Sequence, residues 1–498
     1  MRVLLLKPFQ PIEYWLAAPP LGLLSIASAL RETLPGVEVR VVDMNLRGLG
    51  SDWLVYALRV FNPEVVGVSA LSFQLPAAQA IASLIKATGR PILSVLGGPA
   101  THHRSSELLA TTDFDWVFEG EAERSFPRAL KAYTQGEDLK DIPGLSFHKD
   151  GRIHICTRRD RIENPDELPI PAWDLCEFEL YASQPNGNLL KKHDKYAYLF
   201  TSRGCPYRCA YCHDIFGKKF HATQAERVIR EIELLYETYG VREFHIVDDI
   251  FNFDRERMAT ILCQVRKRFG RKLAFCFPNG LRADILTPAL IEQMADAGTI
   301  SIAVAIETAS KRLQRLMHKH LQIEKAIAAV NCAHSYGIAV KGFFMLGFPS
   351  ESQAEMEETV ALALRSKLTI AHFFAVTPQP GSPLYDLARK ESPETSVEAK
   401  DQYNAQQPWY ERAYGFPLGR FIRRAYRRFY LRPSALWRIL TRVPLRSYID
   451  ALPVAARRFF GLSPKLPVCR WYLFKNVPSK ANASAILANR DCRAKLAS

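Results

Sequence analysis

Three cysteines crowded into one short loop constrain this chain more than any other feature. They are Cys205, Cys209 and Cys212, spaced C-x3-C-x2-C in the run Ser202-Arg203-Gly204-Cys205-Pro206-Tyr207-Arg208-Cys209-Ala210-Tyr211-Cys212-His213. Thiolates are soft ligands that favour iron–sulfur clusters, zinc or copper(I), so this loop is expected to wrap around one inorganic centre. The informative count is three ligands rather than four. A structural zinc site is normally closed by a fourth protein ligand, and His213 would have to serve. A four-iron cluster held by three cysteines instead leaves one iron open to a small molecule. The loop follows an apolar run at 196–201 that reads as a strand. A parallel-strand barrel places its functional loops in that way.

Strand and helix patterns alternate in two stretches. In the first, residues 3–6, 37–42, 65–69, 92–96 and 116–118 are apolar runs, and 21–32, 77–87 and 122–132 have helical spacing. That order predicts an α/β domain with a doubly wound parallel sheet, Rossmann-like or flavodoxin-like. Ligands of such sheets sit at the carboxyl ends of the strands, which here carry Asp43, Ser69, Gly97-Gly98-Pro99 and Gly120-Glu121. On the residues alone, a nucleotide is the expected ligand. Residues 136–190 read as a linker, punctuated by Pro143-Gly144, Asn164-Pro165 and Pro185-Asn186-Gly187, with a hairpin turn at Asp150-Gly151.

The second alternation begins at 196 and includes a helix at 226–239. Its strands run into Asp248-Asp249, into a turn after 275–282, into Glu307 after 301–306, and into Gly347 within 342–349; a last strand covers 372–376. Paired carboxylates at a strand end can bind a cation, act as acid and base, or accept from an ammonium.

The cysteine run, with aromatic Tyr211 before its last cysteine, resembles the signature of the radical S-adenosylmethionine (radical SAM) enzymes. The resemblance implies a [4Fe-4S] cluster on Cys205, Cys209 and Cys212. Its open iron would chelate S-adenosylmethionine, and one electron would cleave the sulfonium to a 5′-deoxyadenosyl radical. It also implies that Asp248 and Asp249 hold the amino group of S-adenosylmethionine and Glu307 its ribose hydroxyls, and that Gly347 lets backbone approach the adenine. Gly97-Gly98-Pro99-Ala100-Thr101 and the run from Phe118 to Glu123 are similar to the cobalamin-binding domain that precedes many such cores. There Asp43-Met44-Asn45-Leu46-Arg47-Gly48 matches a D-x-H-x-x-G motif with Asn45 in the histidine place. An amide is a poor cobalt ligand, so cobalamin is expected without histidine on cobalt. The stretch 69–73 would face its lower side, with Leu71 or Phe73 as candidates.

The expected domains are then 1–135 for cobalamin, 136–190 as linker, 191–395 as a partial (β/α)6 radical SAM barrel, and 396–498 as a basic, aromatic, mainly helical C-terminal region. A chain of 498 residues accommodates that number of domains. Ten cysteines in such a length are no disulfide framework, and a reducing cytoplasm is the expected compartment. No run of about 18 apolar residues exists, so no membrane span is expected.

The formal charge of +15 is concentrated toward the C-terminus. In 419–432, Phe421, Ile422, Ala425, Tyr426, Phe429 and Tyr430 share one helical face, and Arg420, Arg423, Arg424, Arg427 and Arg428 the other. Two readings stay open: a peripheral contact with the anionic inner membrane surface, or a helix docked on the barrel with a solvated basic face. No nucleic-acid motif accompanies the charge.

The implied activity is methylation of an unactivated carbon on a small-molecule or lipid-like precursor. An external electron donor, flavodoxin or ferredoxin, would supply the electron. Oxidative cyclisation or rearrangement with the same cofactors is the alternative enzyme reading. A cobalamin- or redox-sensing regulator is the non-enzyme reading, and no output domain is recognisable for it.

Overall fold

The computed structural model describes residues 1–9, 18–46, 49–183, 190–379, 381–395 and 408–443. Arg47, Gly48, the 185–187 turn and the basic chain beyond 443 lie outside the described residues.

The first layer is built from β1 (Arg2–Lys7), α1 (Leu21–Thr33), β2 (Glu38–Asp43), α2 (Ser51–Val60), β3 (Val65–Ser69), α3 (Leu75–Ala87), β4 (Leu93–Gly97), α4 (Ser105–Thr111), β5 (Trp116–Phe118), α5 (Ser125–Gln135), β6 (Leu145–Lys149) and β7 (Arg152–Ile155). The sheet order is β2-β1-β3-β4-β5-β6-β7. The first five strands are parallel, and β6 runs antiparallel to β5 and β7. Val3, Leu4, Leu5 and Leu6 are all buried, because a parallel sheet covered by helices buries both faces of a strand. Leu4 and Leu6 join one core with Val66 and Val68; Val3 and Leu5 join the opposite core with Val65 and Val95.

The stretch expected as a linker is largely structured. Asp150 and Gly151, with φ of 51° and 72°, make the turn of the β6–β7 hairpin, which extends the first sheet by pairing Phe147 with Trp116. Two consecutive positive φ values are what a tight hairpin of matching twist needs. Further on, Trp173 packs into the core of the second layer.

After α6 (Phe178–Ser183), the second layer runs β8 (Tyr196–Leu199), β9 (Ser202–Arg203), β10 (His221–Ala222), α7 (Ala225–Tyr239), β11 (Glu243–Ile246), α8 (Arg255–Phe269), β12 (Ala274–Leu281), α9 (Pro288–Asp296), β13 (Thr299–Glu307), α10 (Lys311–Leu316), α11 (Ile323–Ser335), β14 (Ala339–Leu346), α12 (Gln353–Arg365), β15 (Ile370–Ala375) and α13 (Pro383–Glu391). Six strands form one parallel sheet ordered β8-β11-β12-β13-β14-β15, an open partial barrel.

Three helices follow: α14 (Trp409–Tyr414), α15 (Leu418–Tyr430) and α16 (Pro433–Arg442). Helix α15 covers the β15 edge. The Tyr426 hydroxyl accepts from Phe373 N at 3.0 Å and donates to Phe373 O at 3.3 Å; Tyr430 does the same with Ala371 at 3.2 and 3.0 Å. Unpaired edge groups are thereby satisfied. Phe421, Ala425, Tyr426 and Phe429 are buried against the barrel, while Arg424 and Arg428 reach Glu357 on α12 at 3.1 and 2.5 Å. The docked arrangement therefore replaces the membrane reading of this helix, since its apolar face is already spent. No helix of the described residues is long and apolar enough to cross a membrane.

Candidate active site

The cysteine loop is closed at its base by β9 and β10, with Arg203 opposite His221 and Ser202 opposite Ala222. Gly204, at φ +75°, turns the chain into the loop; a Cβ there would lie 2.1 Å from the Lys219 carbonyl oxygen. Only glycine fits that turn. Cys205, Cys209 and Cys212 are free and half-buried. Burial pushes the Cys205 thiol up and that of Cys212 up to about 11, and neighbouring cysteines push both further. Burial is the larger cause in both, and a bound metal would hold these sulfurs as thiolates instead. Among the described residues, two groups of three ligand side chains have atoms within 4.8 Å of one another, and the three cysteines are not such a group. A tetrahedral zinc ion would draw its sulfurs to within about 4 Å of each other.

Around the loop, the two aspartates divide. Asp248 is buried and accepts from Thr201 N at 2.6 Å, Thr201 Oγ1 at 2.7 Å and Ser202 Oγ at 2.5 Å. Its oxygens are occupied in pinning the strand that feeds the cysteine loop, so the expectation of a direct cofactor contact does not match its geometry. Asp249 is half-buried, accepts from Gly204 N at 3.1 Å, and lies close enough to Cys205 and Cys212 to raise both thiols. Burial in turn raises Asp249, partly offset by His213.

Glu307 ends β13 at φ +67°, a sparsely populated conformation for a side chain that branches beyond Cβ. Its Oε1 accepts from the Tyr211 hydroxyl at 3.3 Å and from Lys319 Nζ at 3.5 Å. Tyr211 thus ties the cysteine loop to this strand end. Gly347 has another reason to be glycine than the expected approach of a ligand. At φ +87°, its Cβ would lie 2.6 Å from Leu418 Cδ2 and 2.9 Å from Tyr410 Cβ, so it admits the C-terminal helices.

At the carboxyl ends of the first sheet lies a cavity of about 400 Å³. Ser69, Gly97, Gly98, Gly120 and Glu121 line it. A Cβ on Gly97 would meet nothing within 4 Å, whereas Gly98 at φ +90° is pressed against the Ala70 backbone. An open glycine cradle of this kind fits a bulky cofactor. Asn45 and Leu71 are not among its lining residues. The Asn45 amide donates to Pro8 O at 3.1 Å and Asp43 Oδ1 at 3.2 Å, so it holds the β2 turn.

The barrel supplies the other wall, and sequence reasoning missed it. Phe200, Arg203, Ile215 and Phe216, all from around the cysteine loop, line the same cavity. Arg203 reaches Glu121 Oε1 with Nη1 and Glu123 Oε1 with Nη2, both at 2.6 Å. Burial raises Glu121 despite Arg203, whereas at Glu123 the opposing pull of Arg203 prevails and the carboxyl is lowered. One guanidinium fully compensates only one of the two carboxylates. His102 Nε2 meets Asp214 Oδ1 at 2.6 Å, a second tie between the glycine loops and the cysteine loop. Burial lowers His102, and the Asp214 bond opposes that shift. The signal available in the sequence was position alone: Arg203 and Asp214 flank the cysteines by two residues.

A family model described as the Radical SAM superfamily matches residues 199–363, and one described as a B12 binding domain matches residues 15–130. Uncharacterized methyltransferase PH0819 of Pyrococcus horikoshii is 28% identical over 456 residues, covering 88% of this chain and 94% of its own. Cytidylyl-2-hydroxyethylphosphonate methyltransferase of Streptomyces wedmorensis is 27% identical, covering 73% and 77%. Among solved structures, the radical S-adenosylmethionine methyltransferase TsrM from Kitasatospora setae, with tryptophan substrate and an S-adenosylmethionine analogue, superposes with a TM-score of 0.65. It is 18% identical over 78% of this chain and 76% of its own, a likeness of fold.

Proposed function

We propose that this chain is a cobalamin-dependent radical SAM enzyme that transfers a methyl group to an unactivated carbon of a small molecule. The observation that carries the reading is the shared cavity wall. Arg203 and Phe216, from the cysteine loop, face the same space as Gly97 and Gly120 from the glycine loops. A cluster held at the cysteine loop would, with S-adenosylmethionine, supply hydrogen abstraction, and cobalamin in the cavity would supply a methyl group taken from another S-adenosylmethionine.

The protein's own part is holding and shielding. Cys205, Cys209 and Cys212 hold the cluster. Asp249, with one oxygen turned to Gly204 N, receives the ammonium of S-adenosylmethionine, while Asp248 keeps the strand end in place. Glu307, steadied by Tyr211 and Lys319, accepts from the ribose hydroxyls. Ser69, Gly97, Gly98 and Gly120 give the cobalamin a wall with little side chain. Phe200 and Phe216, 5.0 Å apart between ring centres, keep water from the junction.

Anaerobically reconstituted protein should bind about four irons through three cysteines, bind cobalamin, and form 5′-deoxyadenosine. Changing Cys205, Cys209 and Cys212 together to Ala should remove the iron and the 5′-deoxyadenosine. A metabolite heavier by one methylene unit in cells that carry the gene, absent from a deletion strain, identifies methylation. A product that has lost hydrogen or gained oxygen would replace methylation by the cyclase reading.

A further inference from the structure

Helix α15 spends its apolar face on the barrel, but α16 does not. Ile439 and Val443, one turn apart, pack against Ala339 and Ile370, which open β14 and β15. Ala435, a turn earlier, is buried too. The other side of α16 carries Leu436, Trp437 and Leu440, which are 46%, 68% and 66% exposed, and Leu431 just before the helix is 66% exposed. Single exposed apolar side chains are ordinary; a contiguous set that includes a tryptophan is not. Cations flank this set. The sequence has no carboxylate between Glu411 and Asp450. Arg432 and Arg438 donate to the carbonyls of Leu364 and Leu368, and Arg442 to His334 O at 3.2 Å, so backbone oxygens orient these charges without neutralising them. Arg365 and Lys367 stand exposed on the adjoining loop. Burial, then Arg442, Arg438 and Lys367, lower His334, and among the described residues no carboxylate opposes them. Carboxylates on the surrounding elements are mostly engaged. Asp194 pairs with Lys191, Glu357 with Arg424 and Arg428, and Asp296 with Arg271, while Glu292 takes the Tyr336 hydroxyl. Glu358, exposed on α12, stands against five cations: Arg365, Lys367, Arg432, Arg438 and Arg442.

From this pairing of bare apolar side chains with uncompensated cations, we propose that α16 is a membrane-docking element whose ligand is an anionic phospholipid surface. Tryptophan favours the boundary between headgroups and acyl chains, leucines enter the apolar layer beneath it, and arginines meet the phosphates. Nucleic acid would gain nothing from the exposed leucines. The area is small, so the contact is reversible and depends on charge as well as on apolar burial. Helix α16 lies at the starts of β14 and β15, the end of the barrel opposite Glu307 and the other strand termini of the candidate site. Docking would therefore leave the mouth of that site turned away from lipid, to receive a substrate from water. The proposal stands apart from the radical SAM reading, since it uses none of the residues of that site.

The test uses the full chain and sucrose-loaded vesicles, either of phosphatidylcholine alone or of phosphatidylcholine mixed with phosphatidylglycerol. At low salt the wild type should sediment with the anionic vesicles, remain in solution with the neutral ones, and be released as salt is raised. Leu436→Ser/Trp437→Ser/Leu440→Ser should lower the partition coefficient by about tenfold or more. Lys367→Gln/Arg442→Gln should lower it by about fivefold per charge removed. Trp437→Phe keeps an apolar side chain and should still bind. Vesicles with brominated acyl chains should quench the wild-type tryptophan emission, and should quench that of Trp437→Phe far less. Wild type that ignores anionic vesicles at low salt, equal binding to neutral vesicles, or undiminished binding of the triple variant would overturn the assignment. Equal quenching in Trp437→Phe would also overturn it, by giving the contact to residues outside α16. A wild type that self-associates while the triple variant does not, read by size-exclusion with light scattering, would make this face a contact between copies instead.

Discussion

At the scale of single residues, adjacent carboxylates have unlike tasks, and substitution should separate them. Asp249→Asn should weaken S-adenosylmethionine binding roughly ten- to hundredfold while leaving the iron content intact, because it removes a charged acceptor from the loop face. Asp248→Asn should act differently. Its oxygens serve Thr201 and Ser202, so the expected effect is a lower urea midpoint and poorer cluster loading. Equilibrium dialysis with labelled S-adenosylmethionine, beside iron analysis, distinguishes the two outcomes. A second residue has a pH signature. Burial pushes Glu351 up to about 8, although Gly347 N and Phe348 N donate to it. A carboxyl whose folded pKa is raised ionises first in the unfolded chain, so it costs stability as pH climbs from about 4.3 toward 8. Glu351→Gln should therefore gain thermal stability relative to wild type as pH rises across that window, and no pH-dependent gap in melting temperature would contradict it.

At the scale of elements, α15 does for an open barrel what closure does for a full one. Tyr426 and Tyr430 meet four backbone groups of β15 that would otherwise face water or another chain. Replacing either with Phe should cost about 1 kcal/mol per lost hydrogen bond in urea unfolding. The double variant should also aggregate more readily, as light scattering would show. Its apolar periodicity was plain in the sequence; its partner was not, because a helix that docks on a strand edge and one that lies on a lipid surface share the same pattern of faces. Gly347 carries the same lesson: a glycine at a strand end signals close approach, and here the approaching group is Tyr410 and Leu418.

At the scale of the whole molecule, two layers are held in register by a buried fork. Arg203→Met would leave Glu121 and Glu123 without their partner. Breaking a buried pair in this way costs about 3–5 kcal/mol. The expected result is earlier urea unfolding, faster proteolysis around residues 156–172, and weaker cobalamin binding, with the cysteines themselves untouched. Unaltered stability and cobalamin affinity would show that the layers are held by other contacts.

The sequence alone determined the parts. Soft ligands at Cys205, Cys209 and Cys212, glycines at strand ends, and apolar runs alternating with helical spacing are local properties, and each was readable without coordinates. It also put Ser69, Gly97, Gly98, Gly120 and Glu121 at strand ends that come together in one cavity, since parallel sheets bring strand ends together. Tertiary structure alone decided which groups are spent on the protein itself. Asp248 and Asn45 look like ligands in a motif, yet their polar atoms are turned to Thr201, Ser202 and Pro8. The junction of Arg203 with Glu121 and Glu123 spans about 80 residues of chain, with separations of 82 and 80. No periodicity encodes a pairing at that distance. It arises only when the two layers pack and bury opposite charges against each other, and the cost of leaving any of them unpaired favours this way of meeting.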